Sequence, residues 1–175
     1  PYDAKGLLAS SLKSPDPVMF LESIALYRGL YDEVPIDHYE LPIGRAATRR
    51  EGTDITVVTW GPPVHAAVEA AEALAVDGVS VEVIDLRTIY PWDVDAVLDS
   101  VERTGRLVVA HETHLTAGFG AEIVATITER GAYFLETPPV RVGHMDVFWG
   151  PTRLEKHSVI TAERIASGIR RAMKG

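Results

Sequence analysis

The chain has 175 residues and an apolar content of 46%, which suits a globular domain, and it contains no apolar run long enough to cross a membrane. Its 25 acidic residues outnumber its 17 basic ones, and the net charge of −8 argues against a nucleic-acid surface and favours a basic protein partner. The absence of cysteine excludes disulfides and thiolate metal sites.

The first residues predict a small arm and not a domain of its own. Residues 3–13 have helical composition, and the helix has to end before Pro15, which cannot continue it. Val18–Leu21 predicts a buried strand. One helix and one strand cannot close a core, so residues 1–22 are interpreted as the end of a neighbouring domain. Because the sequence starts at Pro1 with no initiator methionine or targeting signal, we expect it to be the interior of a longer polypeptide.

The next stretch is irregular and predicts a connection between domains. Residues 24–41 follow neither the period of a helix nor that of a strand, and contain scattered tyrosines and prolines. We therefore interpret residues 23–44 as a linker that packs on the surface of another unit.

From residue 45 onward, strands and helices alternate. Strands are predicted at residues 46–50, 55–60, 79–86, 106–111 and 139–142, and helices at 64–76, 92–103, 117–129 and 161–173. The strand at 79–86 is apolar on both faces, which is typical of the middle of a parallel sheet. Single helices between strands indicate βαβ units. The sequence thus predicts an α/β domain at 45–175, with an open, mostly parallel sheet and helices on both faces.

Ligands of open parallel sheets favour the carboxyl ends of the strands, and three predicted ends are polar here. The first is Thr59-Trp60-Gly61, and the second contains Asp85 and Arg87. This acid and base could clamp a substrate, but the simpler interpretation is that the pair ties the strand to its helices. Trp92, just after Pro91, is interpreted as a core anchor at the start of a helix.

The third polar end is His111-Glu112-Thr113-His114, which has two competing interpretations. Two histidines and a glutamate could form a metal or acid–base site, but an i, i+3 spacing on a loop is not an established ligand pattern. The alternative is a polar strand end at a subunit interface, and we favour it.

Two other segments are candidates for a functional role, one rich in glycine and one aromatic. Gly118-Phe119-Gly120 at a helix entrance could cradle a phosphate, but the spacing differs from the dinucleotide fingerprint and favours close helix packing. Phe148-Trp149 predicts either an interface patch or a lid over the sheet edge, and both remain open. The sequence has no nucleophile elbow and no P-loop, so it shows no complete catalytic constellation.

Several motifs together resemble one family. They are K-G-L-L at 5–8, F-L-E at 20–22, L-Y-R at 26–28, V-I-D-L-R-T-I-Y-P-W-D-V-D at 83–95, T-G-R-L-V at 104–108 and H-E-T-H-L-T-A-G-F-G-A-E-I at 111–123. The resemblance is to the beta subunit of the thiamine-diphosphate-dependent decarboxylating component of 2-oxo acid dehydrogenase complexes. The His-Glu pair at 111–112 and E-V-P-I at 33–36 are more similar to the branched-chain enzymes than to pyruvate dehydrogenases.

The resemblance implies a domain organisation and a location for the cofactor. Residues 1–22 would end a pyrimidine-binding domain, 23–44 would be the linker, and 45–175 would be a transketolase C-terminal domain. The catalytic histidine and the cofactor-contacting glutamate of the family lie outside these residues. We therefore expect thiamine diphosphate and its magnesium ion to be bound by the parent enzyme and not by this chain alone. The implied partners are an alpha subunit, a second beta subunit and the dihydrolipoyl acyltransferase core, in a bacterial cytoplasm or, in a eukaryote, the mitochondrial matrix.

Two further sites follow from the resemblance. The loop S-L-K-S-P-D matches a structural potassium site, which would place ligands at Ser11, Leu12, Ser14 and Asp16, although the usual acidic residue is replaced by serine. Glu136 matches an acidic position that contacts the basic subunit-binding domain of the acyltransferase. Asp85, Arg87, Trp92, His111 and Glu112 are expected to serve structure and interfaces.

Two other hypotheses compete with this one. The chain could be the same domain of another thiamine enzyme, such as transketolase or deoxyxylulose phosphate synthase, but the motifs at 20–42 and 85–93 argue against it. It could also be a non-catalytic association module, which the lack of a complete site supports.

Overall fold

A computed structural model describes residues 1–27, 29–148, 150–151, 153–154 and 157–175. The helices are α1 (Tyr2–Lys13), α2 (Ile24–Tyr27), α3 (Pro63–Ala75), α4 (Val94–Thr104), α5 (Phe119–Gly131) and α6 (Ala162–Ala172), and Ala132–Phe134 form a 3-10 turn. The strands are β1 (Ala47–Arg50), β2 (Ile55–Thr59), β3 (Val81–Asp85), β4 (Leu107–His114) and β5 (Val140–His144).

The strands form one sheet in the order β1-β3-β2-β4-β5. β2 is parallel to both β3 and β4, β4 is parallel to β5, and the edge strand β1 runs antiparallel to β3. Every residue of β2 and β3 is buried, as the sequence pattern of the 79–86 segment requires. The predicted α/β class with a mostly parallel sheet is confirmed.

Helices cover both faces of the sheet and create two separate cores. On one face, α3 and α6 pack on Val57, Val83 and Val108. On the other, α4 and α5 pack on Val58 and Ile84. Neighbouring strand residues enter opposite cores because side chains alternate between the faces of a strand.

A polar cluster lies inside the second core and joins the sheet to α4. The Thr56 hydroxyl is 2.6 Å from that of Ser100 and 2.7 Å from that of Thr104. The Glu82 carboxylate is fully buried, accepts the Ser100 hydroxyl, and receives Arg103 Nη2 at 2.8 Å. Because a buried carboxylate has to be paired, Glu82 fixes the position of α4 against β3.

The start of α4 differs from the expectation. The helix was predicted from Trp92 but begins at Val94, because the Asp93 side chain accepts the Ala96 N–H at 3.3 Å and caps the helix. Trp92 lies outside the helix, half-buried against the second core. Its predicted role as an anchor at the helix entrance therefore holds for packing, but its place in the helix was wrong.

The N-terminal arm contains α1 as predicted but no strand. The prediction of a buried strand at Val18–Leu21 was wrong, because Met19 is 83% exposed and Leu21 76% exposed, and the segment pairs with no strand of the described residues. An extended segment without a partner leaves its backbone groups to water. Among the described residues, no helix has the length and apolarity to span a bilayer.

The arm is held against the linker by close contacts of α1. Leu41 N–H donates to the Gly6 carbonyl at 3.1 Å, and a Cβ at Gly6 would lie 2.6 Å from the Leu41 side chain. Tyr2 and Tyr39 stack with their ring centroids 4.7 Å apart. The helix therefore packs on the end of the linker, although most apolar side chains between residues 18 and 36 face solvent.

The contact between α6 and β5 gives a first test. A Cβ at Gly168 would lie 2.4 Å from Cγ2 of Val142, so alanine forces α6 away from the edge of the sheet. We expect Gly168→Ala to lower the free energy of unfolding by about 1 kcal/mol, because overpacking of about 1–3 kcal/mol exceeds the gain in helix propensity of about 1 kcal/mol.

Urea unfolding followed by circular dichroism measures the change. Ser167→Ala, on the exposed side of the same turn, is the matched control and is expected to be neutral or slightly stabilising. Equal or higher stability of Gly168→Ala would show that α6 is not held at this distance.

Candidate functional site

The candidate site is the edge at which the parallel strands end, which we call the carboxyl edge. β2 ends at Thr59, β3 at Asp85, β4 at His114 and β5 at His144. In open α/β sheets this is the usual location of a ligand crevice. The three polar strand ends predicted from the sequence all lie here.

Asp85 is the centre of a charge network at this edge. Its Oδ2 accepts Arg49 Nε at 3.1 Å and Nη2 at 2.7 Å, and its Oδ1 accepts the Arg87 N–H at 3.0 Å. Asp3 of α1 pairs with Arg49 and, at 3.1 Å, with Arg87. Two acids thus alternate with two bases, and the carboxylate has no free side for a substrate.

The network corrects the role predicted for Asp85 and Arg87. The pair was expected to tie β3 to its flanking helices, but it ties β3 to the edge strand β1 and to α1. Asp3 and Arg49 were missed because both contacts join residues more than 30 positions apart in sequence. The strand predicted at 46–50 indicated that Arg49 lies at the edge of the sheet. A sequence pattern does not show which strand that edge strand pairs with.

The turn after β3 is held by a second set of contacts. Arg87 adopts φ of 59°, a left-handed conformation that is uncommon for a residue with a side chain. The Thr88 hydroxyl donates to the Pro91 carbonyl at 2.8 Å and accepts the Gly44 N–H at 3.0 Å. Asp93 also accepts the Ala46 N–H at 3.0 Å. The end of the linker is therefore attached to this turn and not free to cover a ligand.

His111 fills the next part of the carboxyl edge. Its ring is fully buried and lies parallel to Trp60, with the centroids 5.5 Å apart and the planes 3° apart. A Cβ at Gly120 would lie 2.4 Å from the His111 ring, and one at Gly118 would lie 2.8 Å from it. The prediction that these glycines serve close packing is confirmed, since side chains there would occupy the space of the imidazole.

The chemistry of the His111–His114 segment follows from this burial. His111 Nδ1 lies 2.6 Å from the Thr113 hydroxyl, and its Nε2 has no partner among the described residues. Burial, and then the positive charge of Arg141, hold the pKa of His111 below its usual value. Burial also raises the pKa of Glu112. The observation against proton exchange with a dissolved substrate is the complete burial of the His111 ring, which leaves it no contact with solvent.

The segment does not form a metal cluster. His111 is buried, whereas His114 is exposed and its Nε2 lies 3.0 Å from the Val147 carbonyl. Across the described ranges, no three side chains from histidine, cysteine, aspartate and glutamate are grouped to hold a metal. The geometry of the described residues favours the interpretation of a polar strand end.

The loop expected to hold potassium lies at the other end of α1. Leu12 is exposed, the Ser11 carbonyl accepts the Ser14 N–H at 3.3 Å, and the Ser14 hydroxyl accepts the Asp16 N–H at 3.2 Å. These oxygens are the type of ligand that a hard cation prefers, and each retains a second lone pair. They lie on an exposed loop, so the remaining ligands would have to come from beyond these residues.

Glu136 lies just before β5 and is only partly engaged. Its Oε2 is 2.5 Å from Arg106 Nη2, its N–H donates to the Gly105 carbonyl at 2.8 Å, and its side chain remains 59% exposed. The carboxylate is thus presented to solvent at the end of α4. Of the predicted Phe148-Trp149 patch, Phe148 is fully exposed, whereas Trp149 is outside the described residues, as is Arg28 of the L-Y-R motif.

Comparison with known proteins identifies relatives of this fold. The family described as transketolase, C-terminal domain, matches residues 44–165. The chain is 50% identical over 155 residues to the pyruvate dehydrogenase E1 component subunit beta of Staphylococcus aureus, and 48% identical to that of Staphylococcus epidermidis. Each alignment covers 89% of this chain, and the chain spans 48% of the length of each relative.

A solved structure is similar to the chain as well. It is a split-gene transketolase described as an inactive beta4 tetramer, with a TM-score of 0.70 and 28% sequence identity. The superposition covers 77% of this chain and 44% of the other.

The buried imidazole predicts a pH dependence of stability. Because the pKa of His111 is lower in the folded state, the unfolded chain binds the proton more readily below about pH 6.5. Stability from this group is therefore complete above that pH and is lost as the pH falls, with a slope of at most about 1.4 kcal/mol per pH unit for one proton. We expect His111→Phe, which keeps an aromatic ring beside Trp60, to remove this part of the slope.

Urea unfolding between pH 5 and 7.5 measures the slope. His65→Gln, at an exposed position of α3, is the control and is expected to leave it unchanged. Glu112, whose pKa is raised, contributes with the opposite sign above its ordinary pKa of 4.5, and because both variants retain this residue its contribution cancels when their slopes are compared. An unchanged slope in His111→Phe would show that the imidazole titrates normally.

Proposed function

Because the chain belongs to the transketolase C-terminal domain family, we propose that it is the C-terminal part of the beta subunit of a thiamine-dependent 2-oxo acid dehydrogenase component. The observation that carries the proposal is the 50% identity over 155 residues to a pyruvate dehydrogenase beta subunit. The parent enzyme would catalyse oxidative decarboxylation of a 2-oxo acid and transfer the acyl group to a lipoyl group.

In this proposal, the domain holds other parts of the enzyme in place and does not itself react. The support is the carboxyl edge, where Asp85 is paired with Arg49 and His111 is enclosed by Trp60 and glycines. A site for chemistry needs accessible groups in a concave pocket. Here the Asp85 carboxylate is paired within the chain, and the His111 ring is closed to solvent.

The residues present do not fit the cofactor of the family. Thiamine diphosphate is held through a magnesium ion, which requires oxygen ligands, but the described residues contain no cluster of acids or histidines for a metal. We propose that thiamine diphosphate and magnesium are bound by other parts of the parent enzyme. The potassium ion proposed at Ser11, Leu12, Ser14 and Asp16 would likewise be completed from outside.

The exposed apolar side chains of the arm and the linker support association with those other parts. Met19, Leu21, Ile24, Tyr31 and Ile36 all present large apolar side chains to solvent within one segment. Apolar surface of this extent marks a contact with another unit. We propose that residues 1–22 are the end of a pyrimidine-binding domain, that the arm and linker pack against the rest of the enzyme, and that the assembly contains an alpha subunit and a second beta subunit.

Two finer points concern substrate and docking. The relatives described above carry the name pyruvate dehydrogenase, which favours pyruvate, whereas the branched-chain preference indicated by His111 and Glu112 stays a prediction. We propose that Glu136, with its exposed carboxylate, contacts the basic subunit-binding domain of the dihydrolipoyl acyltransferase. Since these relatives are bacterial, the proposed location is a bacterial cytoplasm.

The main alternative is the corresponding domain of a transketolase. The similarity to the split-gene transketolase structure supports it, but at 28% identity against 50% for the dehydrogenase subunit. The hypothesis of a non-catalytic association module is supported by the same closed carboxyl edge. It differs because it expects no enzymatic partner.

A chimera separates these hypotheses. The aligned C-terminal segment of the Staphylococcus aureus beta subunit is replaced by this chain, and the product is expressed with the alpha subunit of the same enzyme. We expect a complex with pyruvate decarboxylation within about tenfold of the parent rate, because substrate and cofactor groups lie in the retained parts. The matched control carries Gly168→Ala in the grafted segment. A folded chimera that binds no alpha subunit would contradict the proposal.

The role of Glu136 can be measured separately. In that chimera we expect Glu136→Gln to weaken binding of the acyltransferase subunit-binding domain by about fivefold, the loss of roughly 1 kcal/mol typical of a charge at an interface rim. Calorimetric titration measures the affinity, and Glu129→Gln, an exposed acid of α5, is the control. Equal affinity of both variants at low salt would remove Glu136 from the docking surface.

A further inference from the structure

A groove runs along the open edge of the sheet, between β5 and α6. It has a volume of about 260 Å³, and its walls include Arg141, Arg164 and Arg171 together with the apolar side chains of Leu115 and Met145. It continues through Arg171 into a shallow depression of about 440 Å³ on the outer side of α6, lined by Glu163, Ser167, Arg170, Arg171 and Lys174. We call the two together the α6 groove.

The α6 groove is basic although the chain carries a net charge of −8. Five of its lining residues are cationic and one, Glu163, is acidic. Within the described residues, this surface has one ion pair, between Arg170 and Asp77, whose charged atoms are 3.6 Å apart. Arg141 and Arg164 donate to backbone carbonyls, so Arg171 and Lys174 are the cations of this surface that keep most of their capacity to bind anions.

The arginines already close the edge of β5 against another strand. Arg164 Nη2 donates to the Gly143 carbonyl at 2.5 Å, and Arg171 Nη2 approaches the Arg141 carbonyl at 3.5 Å. These carbonyls would be the acceptors for an added strand. Because they are covered, an occupant of the groove would have to bind through its side chains and not through its backbone.

Exposed cations follow one stripe of α6. Arg170 and Arg171 lie in the last turn of α6 and Lys174 lies just after it, all on the solvent side, while Ile165 and Ile169 face the core. Guanidinium groups bind carboxylates in a planar, two-bond geometry. Leu115 and Met145 add an apolar contact at the β5 end of the groove.

We propose that the α6 groove docks an acidic polypeptide segment of a partner protein. Its carboxylates pair with Arg170, Arg171 and Lys174, and an apolar side chain contacts Leu115 and Met145. The net negative charge of the rest of the chain adds specificity, because it repels an acidic partner everywhere except at this surface. The cations are spread from Arg141 on β5 to Lys174 after α6, which suits the several carboxylates of a peptide better than one small anion. A nucleic acid would meet the same repulsion without the apolar contact.

The test is a titration of the 175-residue chain with a fluorescein-labelled peptide, followed by fluorescence anisotropy. The peptide repeats a block of three glutamates and one leucine, and the comparison peptide has glutamine in place of glutamate. We expect saturable binding of the glutamate peptide that weakens as salt rises to about 0.15 M, where charges are screened beyond about 8 Å. The glutamine peptide is expected to bind at least tenfold more weakly.

A charge reversal locates the site. Arg171→Glu is expected to weaken peptide binding at least tenfold. Arg130→Glu is the matched control, since it also lies in the last turn of its helix but on the opposite face of the sheet, and is expected to change the affinity less than twofold. Arg171→Gln, expected to weaken binding at least threefold, serves if the reversal unfolds the chain.

Three results would overturn the proposal. Equal losses in Arg171→Glu and Arg130→Glu would show that only the overall charge matters. Equal affinity for the two peptides would remove the carboxylates from recognition. Tighter binding of a single-stranded oligothymidylate of the same charge would make the surface a general polyanion site and not a peptide site.

Discussion

The buried carboxylate of Asp85 is the centre of the charge network that links the N-terminal arm to the sheet. A charge at the end of a central strand has to be compensated, and here Arg49 of the edge strand provides the compensation. Arg49 also pairs with Asp3 of α1, and Asp3 contacts Arg87, so α1 is connected to the end of β3. One ionic network thus holds together a central strand, an antiparallel edge strand and a helix that would otherwise contact only the linker. Removing Arg49 would leave the Asp85 carboxylate without the cation that compensates it, which is the costly change for a buried charge.

The same network supports the proposal that this domain serves structure and not chemistry. Open parallel sheets normally leave a crevice at their carboxyl edge. In this chain, side chains of the domain itself occupy that space. The Asp85 network occupies the end of β3, and the His111 ring, stacked on Trp60, occupies the ends of β2 and β4. The interaction surfaces that we propose lie elsewhere: the apolar arm and linker, the exposed carboxylate of Glu136 and the basic α6 groove. Their different chemistry would let separate partners bind without competing for one surface.

Most of the fold could be predicted from the sequence because it depends on local pattern. The apolar strands at 55–60 and 79–86 and the glycines at 118 and 120 each indicated their structural role. The errors arose where distant residues decide the outcome. Val18–Leu21 has the composition of a buried strand but no partner within the described residues, and Asp93 moves the helix start from Trp92 to Val94. The pairing of Asp85 with Arg49 and Asp3 depends on strand order, which composition and periodicity do not encode.

The central claim is that the domain positions other subunits and does not itself hold the cofactor. Calorimetric titration of the 175-residue chain with thiamine diphosphate and magnesium tests this claim most directly. We predict no saturable heat of binding to the folded chain, because the described residues contain no cluster of acids or histidines that could hold the magnesium ion. Binding with one site per chain, abolished by Asp85→Asn, would contradict the account and would show that the carboxyl edge is an active part of the enzyme.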